Sequence, residues 1–144
     1  MAAAKGFVEA NGTKLYYERV GSGPPALFIA GSTGDAGNFT RSAEILADEF
    51  TVVTYDRRGN SRSPRPEGWR ATSVSEQADD AAGLIRALGL RPVCLFAASA
   101  GGLIGLDLAM RHPELLRGAV LQEASLFALL PNAAEVLAPR RKLV

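Results

Sequence analysis

Apolar residues along this chain switch between a period of about two and a period of about 3.6, and the switch points carry turn and cap residues. Val8-Glu9-Ala10 and Lys14-Leu15-Tyr16-Tyr17-Glu18 flank Asn11-Gly12. Both residues of that pair tolerate positive φ, so a hairpin closed by a type I′ turn is predicted. Apolar runs at 26–30 and 51–55 predict buried strands, with a short helix near 41–48 between them. Ser73-Val74-Ser75-Glu76 has the form of a capping box, in which the serine oxygen accepts from the third helical amide and the glutamate reaches back to the cap amide. Val74, Ala78, Ala81, Ala82, Ile85 and Leu88 then recur at helical spacing, with Asp79, Asp80 and Arg86 assigned to the wet side and Gly89 ending the helix. A strand over 93–98 runs into a helix over 102–111 that is apolar nearly all round, and His112-Pro113 ends it. Residues 118–122 form the last strand. The tail, 125–144, reads as irregular, with one weak helical stretch at 133–137 and a basic end at Arg140-Arg141-Lys142.

Strands alternating with helices after an initial hairpin predict an α/β fold. It is a mostly parallel six-stranded sheet with an N-terminal antiparallel hairpin and helices on both faces. With 144 residues, 47% of them hydrophobic, the chain fits a single domain with one core.

The chemistry concentrates at Ser99. Ala97, Ala98, Ala100, Gly101 and Gly102 crowd it, as a sharp strand-to-helix turn requires when the backbone passes close to itself and lifts one side chain out. Such a turn exposes a hydroxyl and aims the first free N–H groups of the next helix at the same spot, where they stabilise negative charge on a substrate oxygen.

Ala97-Ala98-Ser99-Ala100-Gly101 resembles the nucleophile elbow of the α/β-hydrolase family, Gly-x-Ser-x-Gly, with alanine for the first glycine. The likeness extends along nearly the whole chain. Gly31-Ser32-Thr33-Gly34 stands where the family has His-Gly, with Ala30 for the histidine, and Asp56-Arg57-Arg58-Gly59-Asn60-Ser61-Arg62-Ser63 is similar to its Asp-x-Arg-Gly-x-Gly-x-Ser loop. The resemblance implies acyl transfer to water, with Ser99 attacking an ester-like carbonyl and the Ser32 and Ala100 amides holding the oxyanion. If the family's strand order holds, Glu123 lies beside Ser99 as a candidate triad acid. No cofactor or metal is called for. Asp56, Arg57 and Arg58 read as an ion cluster that orders their loop.

A serine hydroxyl needs a general base, and the chain has one histidine. His112 follows Ser99 by 13 residues on one helix, so at about 1.5 Å rise per residue it lies roughly 20 Å away, at the opposite end. It is read as a helix C-terminal residue. In the family the acid and histidine follow the last strand found here, so the resemblance implies the N-terminal half of a hydrolase, inactive alone or completed by a partner chain.

Composition narrows the rest. With 16 basic and 15 acidic residues there is no electrostatic case for nucleic acid. The longest mostly apolar run, 93–106, is too short to span a bilayer. The first residues lack the apolar stretch of a signal peptide, and the lone cysteine, Cys94, is read as a small buried hydrophobe, so a cytoplasmic setting is expected.

Two alternatives stand beside the hydrolase. Gly31, Gly34 and Gly37 follow a strand and precede a helix, as in a dinucleotide-binding fold, although the spacing is not Gly-x-Gly-x-x-Gly. The other is a half-fold kept for binding or assembly. An unpaired last strand would template association with a second copy or with a complementing C-terminal half. The apolar stretch 126–130 suggests a hydrophobic wall for a small ester-like or apolar ligand.

Overall fold

Asn11 and Gly12 take φ of 48° and 70°, closing the hairpin between β1 (Ala4–Ala10) and β2 (Thr13–Val20) in a computed structural model that describes residues 4–138. β2 pairs antiparallel with β4 (Thr51–Tyr55). From there the sheet is parallel: β4 with β3 (Pro25–Ile29), β3 with β5 (Val93–Ala98), and β5 with β6 (Leu116–Gln122). The order β1-β2-β4-β3-β5-β6 leaves β6 at an edge. The expected six-stranded α/β sheet is therefore present.

Alternation along the strands separates two cores. Leu27, Ile29, Val53, Leu95 and Ala97 face one side, packed with Ala78, Ala81, Leu84 and Ile85 of α2 (Val74–Ala87) and Ile104 and Leu108 of α3 (Ala100–Arg111). Ala26, Phe28 and Val52 face the other, packed with Ala43 and Leu46 of α1 (Thr40–Leu46), and with Phe39 and Phe96. A short 3-10 turn, Ala36–Phe39, precedes α1, so the helix expected at 41–48 begins earlier and ends earlier. A single turn of α4 (Ala133–Leu137) matches the weak helical stretch of the tail; the basic end at 140–142 lies outside the described residues.

Three expectations change. Asp80 is not on the wet side: it is 1% exposed, because Arg58 donates to it from Nε at 2.7 Å and Asn11 donates at 2.9 Å, tying α2 to the hairpin turn. Only half of the capping box forms. Ser73 Oγ accepts from the Glu76 amide, but the Glu76 carboxylate instead accepts from the Thr72 hydroxyl and from the Arg58 guanidinium, which carries a charge that the cap amide lacks. α3 starts at Ala100 and has a wet face, where Met110 is 74% exposed and Asp107 pairs with Arg111.

Candidate active site

Three glycines allow the chain to crowd around Ser99. β5 ends at Ala98 and α3 starts at Ala100, so the reversal falls on one residue, and Ser99 sits at φ 53°, ψ −121°. This is a left-handed, strained conformation for a residue with a side chain. A Cβ on Gly101 would lie 2.5 Å from the Ile29 carbonyl oxygen and 2.6 Å from that of Ala30, so only glycine lets α3 start against β3. A Cβ on Gly31 would meet Ser99 Cβ at 3.2 Å, which brings the 31–32 loop alongside the serine. On the far side, a Cβ on Gly102 would lie 2.7 Å from Ala124 Cβ, so the absence of one lets the turn after β6 press against the elbow. Ala97, standing where the family has glycine, has its methyl accepted by Gly105, whose own Cβ would come within 2.9 Å of it.

Ser99 is exposed. Its amide donates to the Gln122 carbonyl at 2.9 Å, its carbonyl accepts from the Ser125 amide at 3.2 Å, and its Oγ is 3.3 Å from Ser125 Oγ. Glu123, at φ 47°, makes the reversal that returns residue 125 to residue 99. It is itself exposed, one residue beyond Gln122, the register partner of Ala98. Glu123 thus follows the strand next to Ser99's, on the expected side of the sheet. Ser125 is the residue that sequence reasoning missed, since its closeness to Ser99 depends on a turn 26 residues downstream.

Ala100 contributes the first amide of α3, one of the helix donors without an intrahelical acceptor. Ser32 is held by Arg57. The buried guanidinium donates from Nη2 to the Gly31 carbonyl at 2.7 Å and to the Ser32 carbonyl at 2.9 Å, and from Nη1 to Gln77 Oε1 at 2.7 Å. A trans peptide sets its N–H opposite its C=O, so fixing the Gly31 carbonyl towards Arg57 fixes the Ser32 N–H away from it. Burial lowers the Arg57 pKa. Asp56 is buried also. Burial acts to raise its pKa, but hydrogen bonds from Arg62 and from the Ala36 and Arg62 amides outweigh that and hold the carboxyl below its ordinary value. Asp56, Arg57 and Arg58 order their loop through three separate sets of partners rather than as one cluster.

An apolar groove of about 590 Å³ opens beside the elbow, lined by Ser32, Ala100, Leu103, Leu106, Ser125 and residues 126–129, with Leu137. Ser32 also borders a polar cleft of about 240 Å³ shared with Asp35, Asn60 and Ser61. His112 is at the other end of α3, its Nε2 3.1 Å from Asp79 Oδ1 and its Nδ1 3.3 Å from Arg86. Among the described residues no group of three or more His, Cys, Asp or Glu is set to hold a metal, and no helix is long and apolar enough to cross a membrane. Of the three glycines of the dinucleotide alternative, Gly31 packs against Ser99, Gly34 against Ala30, and the Gly37 amide donates to Asp35 Oδ1 at 2.8 Å. Cys94 is half-buried, not buried as expected, because it faces the side of the sheet that α1 leaves open.

The model of the alpha/beta hydrolase fold matches residues 24–141. An uncharacterized hydrolase of Bacillus subtilis, YraK, is 39% identical over 130 residues, which make up 90% of this chain and 48% of that protein. A putative carbamate hydrolase of Azorhizobium caulinodans, RutD, is 40% identical over 103 residues, or 72% of this chain and 38% of that one. The chain thus spans about half or less of the length of the curated relatives it matches. Among solved structures, Est816, described as an N-acyl homoserine lactone degrading enzyme, aligns with a TM-score of 0.80 at 26% identity, covering 96% of this chain and 53% of its own. An epoxide hydrolase from Vigna radiata aligns with a TM-score of 0.78 at 27% identity, covering 83% of this chain and 38% of its own. With the family's fold and a match to the family model over residues 24–141, this chain belongs to the α/β-hydrolase family.

Proposed function

We propose that this chain is the nucleophile-bearing part of a serine hydrolase acting on ester-like acyl substrates. The observation that carries the reading is Ser99 itself: exposed, at a strained φ of 53°, between the first amide of α3 and the Ser32 loop. In the reaction, Ser99 Oγ forms a bond to the substrate carbonyl carbon while its proton passes to a base. The Ser32 and Ala100 amides receive the charge on the carbonyl oxygen. The bond to the leaving alcohol then breaks as the base returns the proton to it, and water, deprotonated by the same base, hydrolyses the acyl-serine and regenerates Ser99. The groove lined by Leu103, Leu106 and residues 126–129 takes an apolar acyl chain.

The base is a histidine from outside the described residues, because His112 is engaged with Asp79 at the far end of α3. Glu123 is the acid that would orient that histidine. The edge of β6 that no described strand pairs with is where a complementing C-terminal half bearing that histidine adds; a second copy of the chain could pair there too, but it brings only another His112. The reading sets the protein in the cytoplasm, where a lone thiol such as Cys94 stays reduced.

Free imidazole in the buffer can stand in for the missing base. A fluorophosphonate added with imidazole is expected to modify Ser99, at a rate that rises with imidazole concentration, as read by intact mass and peptide mapping. Ser99→Ala should take up none. Equal labelling of that variant would remove Ser99 as the nucleophile.

A second reading, that the chain is a binding or assembly module, has one observation of its own: Val120 on the edge strand is 61% exposed beside the half-buried Phe96. It predicts association that survives Ser99→Ala unchanged.

A further inference from the structure

We infer that Ser125 is a positioning residue for Ser99, holding the nucleophile's hydroxyl over the mouth of the apolar groove; this rests on the reading of Ser99 as the nucleophile. Ser99 Oγ is not spent on capping α3, since no side-chain cap bond is made there. Ser125 Oγ, 3.3 Å away, is the only side-chain partner that Ser99 Oγ has among the described residues. A serine side chain has three staggered wells, so an unpartnered Ser99 would divide its time among them.

Ser125 is itself well anchored. Its amide donates to the Ser99 carbonyl at 3.2 Å, Glu123 supplies the left-handed turn residue, and Ala124 fills the space that Gly102 leaves open. The pair is therefore set by backbone bonds at both ends and not by two loose side chains. Ser125 and Ala100, the residue after Ser99, both line the apolar groove, so the Ser99–Ser125 contact lies at the groove's edge.

A hydroxyl can exchange roles. In the resting chain Ser125 Oγ can accept the Ser99 proton. When a base takes over that proton, the Ser125 O–H can turn and donate to the Ser99 oxygen, keeping the same side-chain orientation. At 3.3 Å the bond is long for O–H···O, so a modest effect is expected, about five-fold in rate.

The test uses fluorophosphonate labelling of the full chain in imidazole buffer, together with crystal structures. Ser125→Ala should slow Ser99 labelling about five-fold. Ser125→Thr, which keeps the hydroxyl, should restore it to within about two-fold. The pH at which the rate is half-maximal should not move, because Ser125 carries no titrating proton in this range. In the Ser125→Ala crystal, Ser99 Oγ should occupy more than one rotamer. Unchanged labelling in Ser125→Ala, or a single unchanged Ser99 rotamer, overturns the inference. Absence of labelling in the wild type instead sinks the nucleophile reading, and the rotamer comparison still decides whether Ser125 positions Ser99.

Discussion

Asp56 is fully buried, yet its carboxylate accepts from two amides and from the Arg62 guanidinium, at 2.7 Å from Nε and 2.9 Å from Nη2. Its folded pKa is depressed, so the unfolded chain binds the proton more readily. The stability this contributes is fully present above the ordinary carboxylate value of about 4 and is lost as pH falls through the lower folded value. Asp56→Asn should therefore cost about 2 kcal/mol at neutral pH, and urea titrations should show that gap closing below about pH 4. Arg57 has a different task. Its planar fork reaches the Gly31 and Ser32 carbonyls and Gln77 together, which a lysine ammonium cannot do. Both Arg57→Met and Arg57→Lys should release the Ser32 amide and slow imidazole-supported labelling at least about tenfold, measured against the same Ser99→Ala blank.

At the scale of elements, the site depends on how closely α3, the 31–32 loop and the turn after β6 approach the end of β5. Gly102→Val would drive a branched side chain into Ala124, whose Cβ lies 2.7 Å from the position of even the first added carbon. Overpacking of this kind costs about 1–3 kcal/mol, and a thermal melt should register it. If the variant stays folded, the displaced turn should also take Ser125 away from Ser99, so labelling should fall as in Ser125→Ala. What the sequence made legible here is what is local. Asn11-Gly12 announces its turn by backbone tolerance, β4 by its apolar run at 51–55, and Ser99 by the small residues around it. Asp80, Ser125 and Gly105 were not legible, because each acquires its role from partners supplied elsewhere. Asp80 waits for Arg58 across 22 positions, Ser125 for Ser99 across 26, and Gly105 for the methyl of Ala97 on the strand beneath. A helical period places Asp80 beside Asp79 on a polar face, and the donors from Arg58 in the loop after β4 and from Asn11 in the hairpin turn reverse that.

At the scale of the molecule, the sheet is covered unequally. Under α2 and α3, Val93, Leu95 and Ala97 of β5 are buried, while Cys94, Phe96 and Ala98 on the opposite face are half-buried although β5 has a strand on each side. α1 packs against β4, leaving an open apolar groove of about 190 Å³ between Phe50, Leu46, Cys94, Phe96 and Val120. Beyond it, among the described residues, β6 pairs on one side only. An unpaired strand next to uncovered apolar side chains favours joining another chain, since one contact satisfies backbone groups and removes apolar surface from water. Light scattering behind gel filtration should accordingly report a mass above the 15.2 kDa of one chain, rising with concentration. Val120→Lys places a charge in the strip at a residue 61% exposed, so it should shift the distribution to monomer while leaving the far-ultraviolet circular dichroism unchanged. A wild-type chain that stays monomeric at high concentration, or a Val120→Lys variant that associates as strongly, would show that β6 and its apolar strip do not drive assembly.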